Sequence, residues 1–360
     1  VFKEGFRFDK QELTQFTELI LVHCGMPPED ARTAAEILIH ADLMGIDSHG
    51  IAHLMGHRDY VPGLRNGAVS PLVRLRIEHE TPATARVDAQ RGFGLLVAHR
   101  AMNLAIEKAR SSGIGMISVA NSSHIGAIGH YALMAIPQDM IGIAMTNAPP
   151  QVVPTFAIKP MLGTNPIAVA IPAKSEPPFL LDMATSVVAA GKLEIAQREE
   201  RPIPEGWAVD AEGKPSTDPF IYRKGGGLLP LGSWPMTSSY KGYGLGMLVD
   251  ILCGVLSTTG FGAMFSREQW RYSHLFAALR IDAFQPAEEF KGMMDQMLNT
   301  FRTLDTAPGA QRVLYPGLRE WEMEQRRRKE GIPLNGKVIS TLEELGRELG
   351  VPFPKGLARS

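Results

Sequence analysis

Only two cysteines, Cys24 and Cys253, occur in 360 residues. Two thiols build neither a disulfide framework nor a four-cysteine zinc site, so a reducing, cytoplasmic setting is the simplest expectation. Net charge is scarce as well. Basic residues number 37 and acidic ones 38, a formal charge of -1. That balance provides no global field for nucleic acid or for an anionic membrane surface. Long apolar runs are missing too. The most apolar helical stretch, Leu245 to Leu256, is too short to span a bilayer and contains Asp250. Val1 to Lys10 mixes charge with aromatics and has no signal-peptide core. These absences lead to the expectation of a soluble protein.

Several catalytic signatures are lacking. Gly113-Ile114-Gly115 has no third glycine and precedes a strand pattern, and Gly242-Tyr243-Gly244-Leu245-Gly246 follows none. A Rossmann dinucleotide fingerprint needs strand, glycine turn and helix in that order. No HExxH pattern and no GxSxG nucleophile elbow occur. What remains is ordinary globular composition, 44% hydrophobic, with length enough for about two or three domains.

The order of elements is legible from periodicity. Asp9 and Glu12 have capping-box spacing ahead of an apolar helix face at Leu13, Phe16, Leu19 and Ile20. Gly25 ends that helix, and Pro27-Pro28 opens another rich in alanine. A third helix is expected from Ser48 to Asn66-Gly67. Leu75 to Glu80 and Thr84 to Asp88 read as paired strands. A helix follows from Leu95 to Arg110, then strands at Gly115–Ala120, Met140–Met145, Ile167–Ile171 and Phe179–Met183. A helix over Val187 to Gln197, a hairpin-like loop at 202–219 and a late strand at Leu275–Ile281 complete the middle. Helices are expected over Ala287–Leu304 and Arg319–Gly331, and a last one begins at a capping box, Ser340 with Glu343. The layout is an α/β fold. Residues 1-72 and 286-360 form a helical domain from both termini, and 73-285 a mixed region that binds cofactor and substrate.

The chemistry concentrates in Gly45-Ile46-Asp47-Ser48-His49-Gly50. An imidazole beside a hydroxyl and a carboxylate can hold one tautomer and pass a proton near neutral pH. The same residues also suit a plain helix start, since Asp and Ser are common N-caps. His49, His53 and His57 recur every fourth residue and, with Asp47, suit zinc, which keeps a metal hydrolase open as a rival. Ser122 to Gly126 and Ala184-Thr185-Ser186 each lie between a strand and a helix, where backbone N–H groups suit a phosphate or merely a cap. Lys241-Gly242-Tyr243-Gly244 starts the apolar helix, and Lys241 in this glycine-rich turn suits a diphosphate or carboxylate, or is merely a solvated lysine.

Taken together, the motifs resemble a known family. Asp47-Ser48-His49-Gly50, Ser122-Ser123-His124-Ile125-Gly126, Gly163-Thr164-Asn165-Pro166, Asp182-Met183-Ala184-Thr185-Ser186 and Lys241-Gly242-Tyr243-Gly244-Leu245 occur in order. Tyr315-Pro316-Gly317 and Gly331-Ile332-Pro333-Leu334 follow. This set is similar to the type-2 malate/L-lactate dehydrogenases, along nearly the whole chain. The resemblance implies a non-Rossmann α/β fold with a mixed sheet core, helices from both chain ends, and a homodimer. It implies hydride exchange between NAD or NADP and a small 2-hydroxy or 2-oxo acid, or reduction of a cyclic imine carboxylate as in some members. His49 is then the proton donor with Ser48 as relay, and His124 is a second catalytic histidine. Ser122, His124, Ile125 and Gly126, with Asp182, Met183, Ala184, Thr185, Ser186, Lys241 and Gly242, are expected to hold the cofactor, and Thr164 to contact substrate. No resident metal is implied.

Two departures from the family pattern bear on the substrate. Several members clamp the substrate carboxylate with an arginine four residues after the histidine, where this chain has His53. Arg58, or Lys241, is the expected replacement cation. Some members carry an arginine before the glycine that follows Ala-Thr-Ser, where Ala190 precedes Gly191 here.

Overall fold

A computed structural model describes residues 6–265 and 271–357. The reading of Val1 to Lys10 therefore lies partly outside the described residues. In chain order come β1 (Arg7–Phe8), α1 (Lys10–His23), α2 (Pro28–Leu43), α3 (His53–Gly56) and α4 (Val61–Arg65). Next are β2 (Arg76–Glu80), β3 (Thr84–Asp88), α5 (Gly94–Ser112), β4 (Ile114–Ser122), α6 (Gly129–Leu133), β5 (Met140–Thr146), β6 (Ile167–Ile171) and β7 (Phe179–Met183). Then follow α7 (Ala190–Arg198), β8 (Ala208–Val209), β9 (Pro215–Ser216), β10 (Gly227–Leu228), α8 (Ser239–Asp250) and β11 (Tyr272–Arg280). Last are α9 (Ala287–Arg302), α10 (Leu318–Glu330), β12 (Ile332–Pro333) and α11 (Gly336–Leu349).

Seven strands form one mixed sheet in the order β2-β3-β4-β11-β5-β6-β7. Only β3 and β4 run parallel, because α5 crosses between them; the other neighbours are antiparallel. Side chains alternate across a strand. Ile117, Val119, Ala144, Phe276 and Ala278 therefore join the main core, which includes α5 and α2. Met116, Met145 and Leu275 on the other face meet Val249 and Cys253, the end of α8 and its π-helical continuation Ile251–Val255. A second, smaller core holds Val152, Leu193, Ile203, Ala208 and Leu228 under the sheet β10-β8-β9. At the chain ends β1 pairs with β12, and Phe353 packs edge-on against Phe8 and Phe16.

Most elements match the sequence reading. The Asp9 carboxylate caps α1 by accepting from the Gln11 and Glu12 N–H groups at 2.7 and 3.2 Å. Gly113, at φ 80, ends α5 as predicted. Two expectations are corrected. The single helix from Ser48 to Asn66 is two short helices, α3 and α4, separated by extended backbone at His57. Glycines at 50 and 56 and Pro62 break the i to i−4 ladder there. The last helix starts at Gly336 under an Asn335 cap, so Ser340 lies inside it and its hydroxyl donates back to the Gly336 carbonyl. Lys241 lies in the first turn of α8, at the start of the apolar helix, as expected.

Candidate active site

The segment 45–60 folds back on itself between α2 and the sheet. Gly45, at φ 80, turns the chain out of α2 in a conformation that glycine tolerates. Gly50 then passes so close to α2 that a Cβ would sit 2.0 Å from the Asp42 carboxylate. That carboxylate is buried and accepts from the Ile51 N–H at 2.7 Å. Burial raises its pKa to about 8, against the Ile51 hydrogen bond.

The broken helix still gathers its imidazoles. His53 lies 5.3 Å, ring to ring, from both His49 and His57, and His124 from the β4–α6 loop joins them. His124 stacks on His57 at 4.3 Å and on His49 at 5.7 Å. Stacked rings do not aim their nitrogens at one point, and among the described residues no set of three such groups is placed to hold a metal ion. Burial, then the neighbouring His57, lowers the His49 pKa to about 4. Burial and the Arg58 charge lower His57 to about 4, and burial with the other imidazoles holds His124 well below the usual range. His49, His57 and His124 are therefore neutral at pH 7.

The hydrogen bonds set two different tautomer rules. The His49 Nδ1 lies 2.8 Å from the Ser48 hydroxyl, which can donate or accept. The His124 Nδ1 accepts from the Gly126 N–H at 3.2 Å, and the Tyr60 hydroxyl stands 3.1 Å away. A backbone N–H cannot reverse its role, so neutral His124 carries its hydrogen on Nε2. Asp59 fixes the same loop by accepting from the His124 N–H at 3.0 Å.

A second group of predicted residues meets about β7. The Thr164 carbonyl accepts from both the N–H and the hydroxyl of Thr185, at 2.9 and 3.1 Å. Buried Asn165 bridges the Ala148 N–H and the Gly246 carbonyl. Leu231 donates its N–H to the Thr185 carbonyl, and a Cβ on Gly242 would come within 2.3 Å of the same Leu231 nitrogen. Asp182 directs one carboxylate oxygen to the Gly129 N–H at 2.8 Å, and burial raises its pKa to about 6. The Ser186 hydroxyl donates to the Val188 carbonyl at 2.7 Å. The two groups approach where Gly191, at the start of α7, faces Ser48: a Cβ there would lie 2.9 Å from the serine Cβ.

Between the 47–56 segment, α7 and α11 opens a cleft of about 660 Å³, lined in part by Ser48, His53, Glu194, Gln197, Lys337 and Thr341. Its size is in the range of small-molecule and cofactor sites. Of the three candidate clamp residues, His53 lines this cleft. Arg58 is half-exposed beside Asp59, its Nε 3.6 Å from a carboxylate oxygen. Lys241 is exposed on α8. Sequence reasoning missed Tyr60, Asp59, Asp42 and Arg327. Tyr60, Asp59 and Arg327 act through contacts distant in the chain and Asp42 through the Ile51 N–H, and no local spacing marks them.

Comparison with known proteins identifies the family of the chain. The sequence profile described as malate/L-lactate dehydrogenase matches residues 8–343. The malate dehydrogenase of Pyrococcus abyssi is 43% identical, with 99% of each chain covered. The L-sulfolactate dehydrogenase of Methanothermobacter thermautotrophicus is 37% identical, covering 96% of this chain and 98% of its own. The crystal structure of malate dehydrogenase from Entamoeba histolytica superposes with a TM-score of 0.93 at 34% identity, over 97% of this chain and 99% of its own. The chain belongs to the malate/L-lactate dehydrogenase family of hydroxy-acid oxidoreductases.

Proposed function

We propose that this enzyme interconverts a small 2-hydroxy acid of the malate or sulfolactate kind with its 2-oxo acid, that His49 carries the proton, and that His124 holds the reacting oxygen. The observation that supports these roles is the difference in what faces the two Nδ1 atoms. Ser48 can accept from or donate to the His49 Nδ1. His49 can thus place its hydrogen on Nδ1 and leave Nε2 as a base, then return the proton in the reverse direction. His124, its Nδ1 committed to the Gly126 N–H, offers only an Nε2–H donor. Fixed donors aimed at developing charge stabilise an alkoxide without reorganising. Neutral imidazoles at pH 7 favour the base role, in the direction of hydroxy-acid oxidation.

A nicotinamide cofactor, NAD or NADP, supplies the hydride acceptor when bound. The cleft beside Ser48 has the volume for it, and hydroxyl, amide and ammonium groups at Thr341, Gln197 and Lys337 suit its sugars and diphosphate. The segment Asp182 to Ser186, Lys241 and Gly242, and the loop Ser122 to Gly126, are the further residues we assign to it. Thr164 stands next to Thr185 and is assigned to substrate. Arg58, the one arginine in 45–60, is assigned to the substrate carboxylate. We further read the protein as a homodimer. Tyr240, Met247, Leu248, Ile251 and Val255 on α8 and its continuation are each 41–59% exposed, an apolar face that a second copy would cover. Two free cysteines, one buried, suit a cytoplasmic setting.

The test is direct. Purified protein should enhance NADH or NADPH emission on binding and oxidise malate or sulfolactate faster than lactate. His49→Gln should lower kcat by about 10²- to 10⁴-fold with cofactor affinity retained. His124→Gln retaining less activity than His49→Gln would reverse the two roles, and binding of neither cofactor would remove the reading altogether.

A further inference from the structure

The His49 loop is held from the far end of the chain. Arg327, in the last turn of α10, is 6% exposed although it is an arginine. It reaches the Asp47 carboxylate with both terminal nitrogens, at 2.5 Å to Oδ1 and 3.3 Å to Oδ2. The first of those nitrogens also donates to the Asp42 carbonyl at the end of α2. Met323, one turn earlier, closes over Gly45, where a Cβ would lie 3.0 Å from its Cγ. The Asp42 side chain secures the other side of the loop through the Ile51 N–H. Between these two anchors only Ser48, His49 and Gly50 remain, and the His49 N–H is tied to the Ile46 carbonyl at 2.8 Å.

We infer that Arg327 is a positioning residue for His49: its forked contact with Asp47 and the Asp42 carbonyl fixes where the Ser48–His49 pair stands over the cleft. A bidentate guanidinium–carboxylate pair fixes direction as well as distance, which a lysine ammonium cannot. A loop bearing a catalytic imidazole gains from such a fork, because a misplacement of about 1 Å can cost roughly 10²-fold in rate. Nothing in the local sequence of 45–60 provides that fork. The sole arginine there, Arg58, faces Asp59 instead. The inference rests on the reading of His49 as the proton carrier.

The test uses Arg327→Ala, Arg327→Lys and Asp47→Asn in the full chain, with His49→Gln and the double variant His49→Gln/Arg327→Ala alongside. Arg327→Ala should lower kcat by about 10²-fold while the cofactor Kd, read by nicotinamide emission, stays within about twofold. Arg327→Lys and Asp47→Asn should lose less, and both leave a side chain filling the space should alanine fail to fold. Added guanidinium ion should restore part of the lost kcat in Arg327→Ala, which repair of a merely structural defect would not do. If Arg327 acts through His49, the double variant is no slower than His49→Gln. Two outcomes overturn the inference: kcat unchanged in Arg327→Lys and Asp47→Asn while His49→Gln collapses, or losses that multiply in the double variant. An active His49→Gln instead overturns the assignment of His49 and leaves the Arg327 loss to be explained through another group.

Discussion

Residues 45–60 and the seam of Thr164, Thr185 and Gly242 work with different atoms. The first puts forward side chains: three histidines, a serine and a tyrosine, with the pKa values of His49, His57 and Tyr60 moved by burial. The second puts forward backbone: the Thr164 and Thr185 carbonyls, the Leu231 N–H, and glycines that let α8 approach. Titratable rings can move a proton, and close-set backbone can only hold and shape. The difference is the ground on which we propose proton chemistry for one region and ligand placement for the other, and under that proposal the two fail differently.

Acid should break the first region before the second. His49 and His57 fall to about 4 and His274 to about 3, all below the unfolded value of 6.5. Below pH 6.5 the unfolded chain takes up protons that the fold refuses, so stability is lost as pH falls from 6.5 towards 4. The loss amounts to about 3 kcal/mol for His49 alone. Asp42 and Asp182 act in the opposite sense. Their folded values of about 8 and about 6 lie above the unfolded 3.8, so their contribution is lost as pH rises through those values. Urea midpoints between pH 4 and 9 should trace a dome, and a midpoint unchanged from pH 7 to 4 would deny that the imidazoles are buried neutral.

Arg58→Leu sharpens the substrate side of the comparison. Loss of a charged hydrogen bond to the substrate costs about 1.5–3 kcal/mol, so KM for the oxo acid should rise by roughly ten- to a hundredfold with cofactor affinity unchanged. Should His53→Leu raise KM while Arg58→Leu does not, the clamp belongs to the histidine, and binding should then weaken as pH rises through its pKa. Gly242→Ala probes the other region. Its Cβ would meet the Leu231 backbone at 2.3 Å, so overpacking should cost about 1–3 kcal/mol in thermal unfolding and weaken cofactor binding, with the acid limb of the rate profile unmoved. A shifted acid limb would show that the two regions are not separable. The smallest effect is expected from Ser48→Ala, about two- to tenfold in kcat, as for one neutral hydrogen bond. A loss equal to that of His49→Gln would mean that Ser48 holds the loop and does more than orient the ring.

Much of the fold was legible because local rules and tertiary outcome agree. Short apolar strands at 140–146 and 167–171 must be buried in a sheet, and the Asp9 cap and Gly113 stop need only local backbone. Family membership followed from the order of short motifs, and the comparisons bear it out. Where local rules conflicted, the reading failed. Between Ser48 and Asn66 the apolar positions Ile51, Leu54, Val61 and Leu64 suggested one helix, while Gly50, Gly56 and Pro62 opposed it, and the breakers prevailed.

The sequence by itself determined the element order, the missing Rossmann turn and the concentration of imidazoles near Gly45, because each depends on residues adjacent in the chain. Tertiary structure decided which nitrogen of His124 carries hydrogen, since that depends on Gly126 and on Tyr60 from a different segment. It also decided that Asp47 meets Arg327, 280 residues away. Such a pairing follows from how α10 packs on α2, and a contact between chain ends leaves no period or spacing in the sequence between them.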